Sequence, residues 1–137
     1  GDISPVVSAE DIISAQNLVQ SMPICDQVLG YAHALVRATR PGEPEAPEFV
    51  NQWVSWGAGP RGVLSLISCA KSRALLNGRY HASVEDVQAI MAPALAHRIA
   101  PNYSGMASGI TSHRIIEMLL EEIASDQAFE PPQAVTV

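Results

Sequence analysis

A chain of 137 residues is long enough for one domain with a single sizeable core, and with 47% apolar and 16% charged residues it is not a disordered polar chain. The net charge of −6 rests on only eight basic residues, too few for a general nucleic-acid binder, which must neutralise many phosphates. No apolar run approaches the roughly 18 residues of a membrane span and no secretory signal opens the chain, so a cytoplasmic protein is expected, with neither membrane nor nucleic acid as partner.

Taken in order, Ser8 precedes an apolar series at Ile12, Ala15 and Val19, with Asp11 three residues after it. That is capping-box spacing, and it predicts a helix over about 8–21 that stops near Pro23. Ile24, Val28, Tyr31 or Ala32, Leu35 and Thr39 form a second helical stripe, ending before Pro41. RPGEPEAPEF then brings three prolines, a glycine and three glutamates, a connection that cannot continue a helix.

Pro60 suits the first position of the next helix, because its missing N–H would have no intrahelical partner there. Val63, Ile67, Ala70 and Ala74 make its stripe, broadened by Leu64, Leu66 and Leu75, and Asn77-Gly78 stops it. Ser83 starts a further helix with Glu85 and Asp86 in its first turn and Val84, Val87, Met91 and Leu95 inside; Pro93 should kink or split it. The flanking pieces Arg79 to Ala82 and His97 to Ala100 can pair as a small two-stranded ribbon. NYSGMASG reads as a loop, and Thr111 as the cap of a last helix whose Ile115, Leu119 and Ile123 face inward. The expected fold is an all-α small helical bundle of five to six helices, in one domain over residues 1–128 with a flexible tail at 129–137.

Several constellations invite chemistry and carry little. His33, His81, His97 and His113 fall in different segments without HxxxH or CxxC spacing, so no metal site is expected. Cys25 and Cys69 read as small buried thiols rather than a disulfide or a metal pair. CAKS at 69–72 lacks the glycines with which a phosphate loop closes its backbone N–H groups on phosphates. The acidic groups Glu43, Glu45, Glu48 and Glu121, Glu122, Asp126 read as solvated surface, and Trp53 and Trp56 as packing for their loop. No Ser/His or Cys/His signature of nucleophilic catalysis is present.

WVSWGAGPRG at 53–62 is the exception. Arg61 falls in the first turn of a helix, where the backbone is already electropositive and acidic residues are the usual choice. Two readings stand on chemistry alone: a surface arginine that follows a proline, or a guanidinium that receives an anion together with the free N–H groups of the helix start.

In order along the chain, SAEDIISAQNLV, YAHALVRATRPG, VSWGAGPRG, AKSRALLNGRY, SVEDVQAI, APALAHRI and GITSHRIIEMLL resemble the C-terminal lid of MoxR-type AAA+ ATPases over almost the whole length. The resemblance implies that Arg61 is the sensor 2 arginine reaching the γ-phosphate of ATP, with Pro60 and Gly59 forming the nucleotide-side turn. Many relatives carry serine before that proline and alanine after the arginine, where this chain has Gly59 and Gly62, a difference of loop geometry that leaves the arginine in place. It further implies ATP and Mg²⁺ in the parent protein, a homo-oligomeric ring, commonly a hexamer, and partners carrying von Willebrand factor A domains. The phosphate loop, the acidic strand, the polar sensor and the arginine finger of such enzymes are missing. In that family they lie on an α/β core that would precede residue 1, so a lid separated from its own N-terminal core is expected. Such a piece would not hydrolyse ATP alone, although the parent would. The competing expectation is a free-standing helical protein-interaction module, with the Trp53 and Trp56 loop as its contact surface and no nucleotide role.

Overall fold

A computed structural model of the chain describes residues 4–125, with side chains described through Glu122. The expected domain end at residue 128, the tail at 129–137, Asp126 and the inward face of Ile123 lie outside the described residues or side chains. The five helices predicted from periodicity are all present. The first, α1 (Ala9–Ser21), starts at Ser8, whose side chain accepts from the backbone N–H of Asp11 while the Asp11 carboxylate accepts from the backbone of Ser8. Next comes α2 (Asp26–Ala38), which buries Val28, Tyr31, Ala32 and Leu35 as the stripe requires.

Two short helices were not legible, so the described residues hold seven helices rather than five or six. Within and after the proline-rich connection lies α3 (Glu48–Trp53), held at one end by Pro47, and the chain then extends into β1 (Val54–Trp56). The third periodic helix is α4 (Pro60–Leu76), closed by Asn77 and by Gly78 at positive φ, where a side chain would be strained. It is followed by α5 (Val84–Leu95), whose cap Ser83 repeats the capping box with Asp86. Pro93 does not split α5: the helix runs through it and ends two residues later in a 3-10 turn, Ala96–Arg98. So near the end of the helix the missing N–H removes one late hydrogen bond and leaves the earlier turns intact.

After the turn come β2 (Ala100–Pro101), α6 (Tyr103–Ala107) and α7 (Ser112–Ser125), with the Thr111 hydroxyl accepting from Arg114 N–H. The ribbon is not the expected pair. β1 and β2 run antiparallel, with Val54 opposite Pro101 and Trp56 opposite Ala100, so Arg79 to Ala82 takes no part. Asn102 fixes this register, donating its backbone N–H to Trp53 O and its side-chain amide to Gln52 O, each at 2.8 Å. Gly105 brings α6 against Trp53, where an added Cβ would stand 2.8 Å from a carbonyl oxygen.

Leu35 of α2, Leu66 of α4, Met91 and Leu95 of α5, and Ile115, Ile116 and Leu119 of α7 are fully buried and form one core. Each such side chain contributes about 1.5–3 kcal/mol of burial free energy, so α4, which packs chiefly on α5 and α2, is held along its length. By contrast α1 leans chiefly on α4: Ile12, Ala15 and Val19 face Ser68, Ser72 and Leu75 across an open groove, and no residue of α1 is fully buried. The cysteines also depart from expectation. Cys25 precedes α2 and Cys69 lies on the outer side of α4, and both are exposed and free.

A buried carboxylate pins the far end of α4. Asp86 is fully buried, and its oxygens accept from both terminal nitrogens of Arg79 at 2.7 Å, from Arg73 of α4, and from Ser83. The Arg79 guanidinium holds the Asp86 carboxyl far below the usual carboxylate range, against the opposing effect of burial. One side chain thus caps α5 and ties both α4 and the turn after it to that cap.

Candidate functional site

The start of α4 is positioned by the end of α2. Thr39 is buried; its hydroxyl donates to Val36 O at 2.6 Å and accepts from the backbone N–H of Ala58 at 2.9 Å. Gly57 lies so close beneath it that a Cβ there would sit 2.2 Å from Thr39 O. Only glycine allows this contact, so the turn before Pro60 is latched to α2 by a residue type as well as by a hydrogen bond. Gly59 serves as the cap residue of α4: its carbonyl accepts from the Gly62 N–H at 2.8 Å, it offers no side-chain acceptor, and with Pro60 lacking an N–H the donor left in the turn is that of Arg61. A Cβ at Gly59 would meet nothing within 4 Å, and one at Gly62 would press on Leu95 and Ala58 at 3.1 and 3.2 Å.

Arg61 follows Pro60 in this first turn and is exposed. It borders an open cleft of about 730 Å³, whose walls also include Gly59, Pro60, Trp56, His97 and Arg98. No carboxylate among the described residues lines it, although the chain as a whole carries a charge of −6. The cleft is therefore a local reversal of the protein's field, with two arginines and the positive end of a 17-residue helix facing one space.

The two arginines share another property. Of the seven in the chain, Arg37 and Arg40 pair with Glu43 or Glu45, Arg73 and Arg79 with Asp86, and Arg114 with Glu117 and Glu121. Arg61 and Arg98 alone among them have no carboxylate partner among the described residues, and both line this cleft. Lys71 is also unpaired, but it lies further along α4, away from the cleft. Arg98 is half-buried, with one long bond of 3.4 Å from its Nη2 to Ser65 Oγ and its Nε buried without an acceptor. Ser65 in turn donates to Arg61 O at 3.0 Å, so the hydroxyl links the two arginine positions. A buried donor left without a partner costs about 1–3 kcal/mol, and the turn that imposes this is anchored by buried Ile99, whose carbonyl accepts from Ser112 Oγ at 2.9 Å.

The two tryptophans separate. Trp53 packs, its ring centroid 6.4 Å from that of Phe49, whereas Trp56 stands 73% exposed at the rim of the cleft. The loop packing expected of both thus holds for Trp53 only. His97 also reaches the cleft, while His33, His81 and His113 are exposed elsewhere. No group of three or more His, Cys, Asp or Glu side chains among the described residues could hold a metal ion. Glu43 and Glu45, expected as solvated surface, are instead partly covered by their pairing with Arg37 and Arg40. The placing of Arg61, Pro60 and Gly59 at the start of a helix was legible from sequence; the presence of His97 and Arg98 beside them was not, because they arrive through the fold from a segment read as a ribbon strand. Their available signal was the adjacent His-Arg pair after a proline-weakened helix end.

The family of the AAA lid domain matches residues 48–119. The chaperone MoxR1 of Mycobacterium tuberculosis is 30% identical over 128 residues, covering 93% of this chain and 34% of that protein. The MoxR protein of Methylorubrum extorquens is 34% identical over 98 residues, covering 71% and 27%. An uncharacterised Bacillus subtilis protein, YeaC, is 27% identical over 121 residues, covering 88% and 35%. A crystal structure of a candidate ATPase from Cytophaga hutchinsonii superposes with a TM-score of 0.79 at 30% identity, over 86% of this chain and 36% of that one. The chain thus spans about a third of the length of the first relatives it matches.

Proposed function

Because the chain belongs to the AAA lid domain family, as a lid of the MoxR type, we propose that it closes over ATP bound to an N-terminal α/β core and couples hydrolysis to remodelling or activation of partner proteins. The observation that carries this reading is the exposed Arg61 at the start of α4, with no carboxylate partner among the described residues and none of their carboxylates in its cleft. An arginine so placed acts as sensor 2: its planar fork binds phosphate oxygens and stabilises charge on the γ-phosphate as the terminal bond breaks. Pro60, which has no N–H of its own, and Gly59, which has no side chain, leave the helix start open, so that the backbone N–H of Arg61 can join its guanidinium on the same anion.

The residues of the cleft suit a polyphosphate and do not suit Mg²⁺, since no carboxylate among the described residues faces it. The metal would accompany the nucleotide on the core, where it neutralises the phosphates. Closure adds the contacts of Arg61 only while a triphosphate is present, which makes nucleotide state a switch for rigid-body rotation of the lid. A homo-oligomeric ring acting in the cytoplasm, with von Willebrand factor A domain proteins among its partners, completes the proposal.

The test is Arg61→Ala in the protein that joins this lid to its core. One charge-assisted hydrogen bond of about 1.5–3 kcal/mol predicts a loss of about 10- to 150-fold in hydrolysis, and a second bond a larger one. Unchanged hydrolysis together with unchanged nucleotide-dependent motion overturns the assignment. This chain alone should bind ATP more weakly than about 1 mM, because that affinity already needs about 4.1 kcal/mol. Tight binding by calorimetry would contradict it.

A further inference from the structure

The pairing of arginines in this protein has one consistent exception. Five are matched to carboxylates, and the two that are not, Arg61 and Arg98, come from distant segments to one cleft. An unmatched arginine on an open surface is unremarkable on its own. Arg98 differs, because it is half-buried, its Nε is enclosed without an acceptor, and its single bond to Ser65 is long. A guanidinium carries five N–H donors in a fixed plane, so most of the donors of Arg98 remain uncommitted.

Its surroundings are also fixed rather than loose. Ile99, the next residue, is buried, and the strand that follows pairs with β1 beside Trp56. Ser65, one helical turn beyond Arg61, bonds both to Arg98 and to the Arg61 carbonyl. The positions of the two arginines are thereby coupled, and two like charges are held at one space with no carboxylate of the described residues between them. Such an arrangement is stabilised by an anion that bridges them.

We propose that Arg98 is a second phosphate-binding residue, and that the cleft takes a polyphosphate between the guanidinium groups of Arg61 and Arg98. The proposal rests on the lid reading for the source of the polyphosphate, the triphosphate of ATP, but it assigns a residue that the sensor 2 role does not include.

The experiment is a titration of this 137-residue chain with inorganic tripolyphosphate, followed by NMR through the side-chain Nε–Hε signals of Arg61 and Arg98. Sulfate and chloride at matched ionic strength serve as controls. Both signals should move along one saturating curve, and Arg98→Gln should weaken binding about fivefold or more while the backbone spectrum stays folded. Arg98→Lys, which keeps the charge and loses the planar fork, should recover only part of the affinity. Movement of Arg61 with a silent Arg98, and equal binding by Arg98→Gln, overturns the inference and leaves the lid reading intact. Movement of Arg98 with a silent Arg61 supports Arg98 as an anion-binding residue and removes the role given to Arg61. Equal shifts from sulfate or chloride overturn the site as an adventitious ion only.

Discussion

Replacing Asp86 by asparagine tests whether one buried carboxylate organises the charged end of the bundle. The native side chain is fully buried and accepts from Arg73, from two nitrogens of Arg79, and from the backbone and hydroxyl of Ser83. Asparagine keeps one carbonyl oxygen but turns an N–H₂ group toward guanidinium donors, losing the charge and two or three of these bonds. Breaking a buried ion pair from one side costs about 3–5 kcal/mol. Here the Arg73 and Arg79 side chains are 41% and 34% exposed and regain water, which lowers the cost. The expected destabilisation of Asp86→Asn is about 2–3 kcal/mol, a fall in Tm of about 6–15 °C for a chain of this size.

The pH dependence supplies an independent check. Because the folded carboxyl titrates below its ordinary value of 3.8, the unfolded chain binds its proton first as pH falls. The stabilisation is fully present above about pH 5 and is lost as the solution is acidified through the unfolded value toward the folded one. Asp11, held low by hydrogen bonds from Ser8, titrates alike in both proteins, whereas Glu85, held low chiefly by Ser83, also feels the Asp86 charge, so the difference reports Asp86 together with its repulsion of Glu85. Urea unfolding at several pH values between about 3 and 7 measures it. A variant within 2 °C of wild type, or one with the same acid-side slope, would refute the clamp.

Three further outcomes concern the latch and the cleft. Gly57→Ala should destabilise by about 2 kcal/mol or more, since its Cβ collides with a backbone oxygen, whereas Gly59→Ala should stay within about 0.5 kcal/mol. Denaturant midpoints in the opposite order would exclude the contact with Thr39. Thr39→Val should cost about 1–3 kcal/mol by stranding the Ala58 N–H, read by the same unfolding curves. Arg61→Ala should leave the stability of this chain within about 0.5 kcal/mol, because the side chain is exposed and unpaired; a larger loss would assign Arg61 a structural role.

The five long helices were legible because their information is local. Apolar spacing, two Ser–Asp capping boxes, Pro60 and Asn77-Gly78 act within a few residues of one another, and the fold leaves them where the chain put them. Arg61 was legible for the same reason, since its place depends only on where a helix begins. The amphipathic stripe of α1 was read correctly, yet its depth was not, because burial depends on how many neighbours a helix has and α1 has chiefly α4.

What the tertiary structure decided is everything that joins distant segments. α3 and α6 are too short for periodicity to reveal and are held by contacts such as Gly105 against Trp53. The ribbon pairs Ala100, at the end of one expected flank of α5, with β1 in a register held by Asn102, and not with Arg79 to Ala82. Asp86 looked like a first-turn acid and became the buried partner of two arginines. Cys69 followed the surface its helix presented, and Cys25 stands exposed just before α2. Above all, nothing within either segment says that Arg98 meets Arg61 across Ser65. A helix start is encoded by its own residues, but a cleft exists only between elements, and its charge is set by which side chains the core packing brings to its walls.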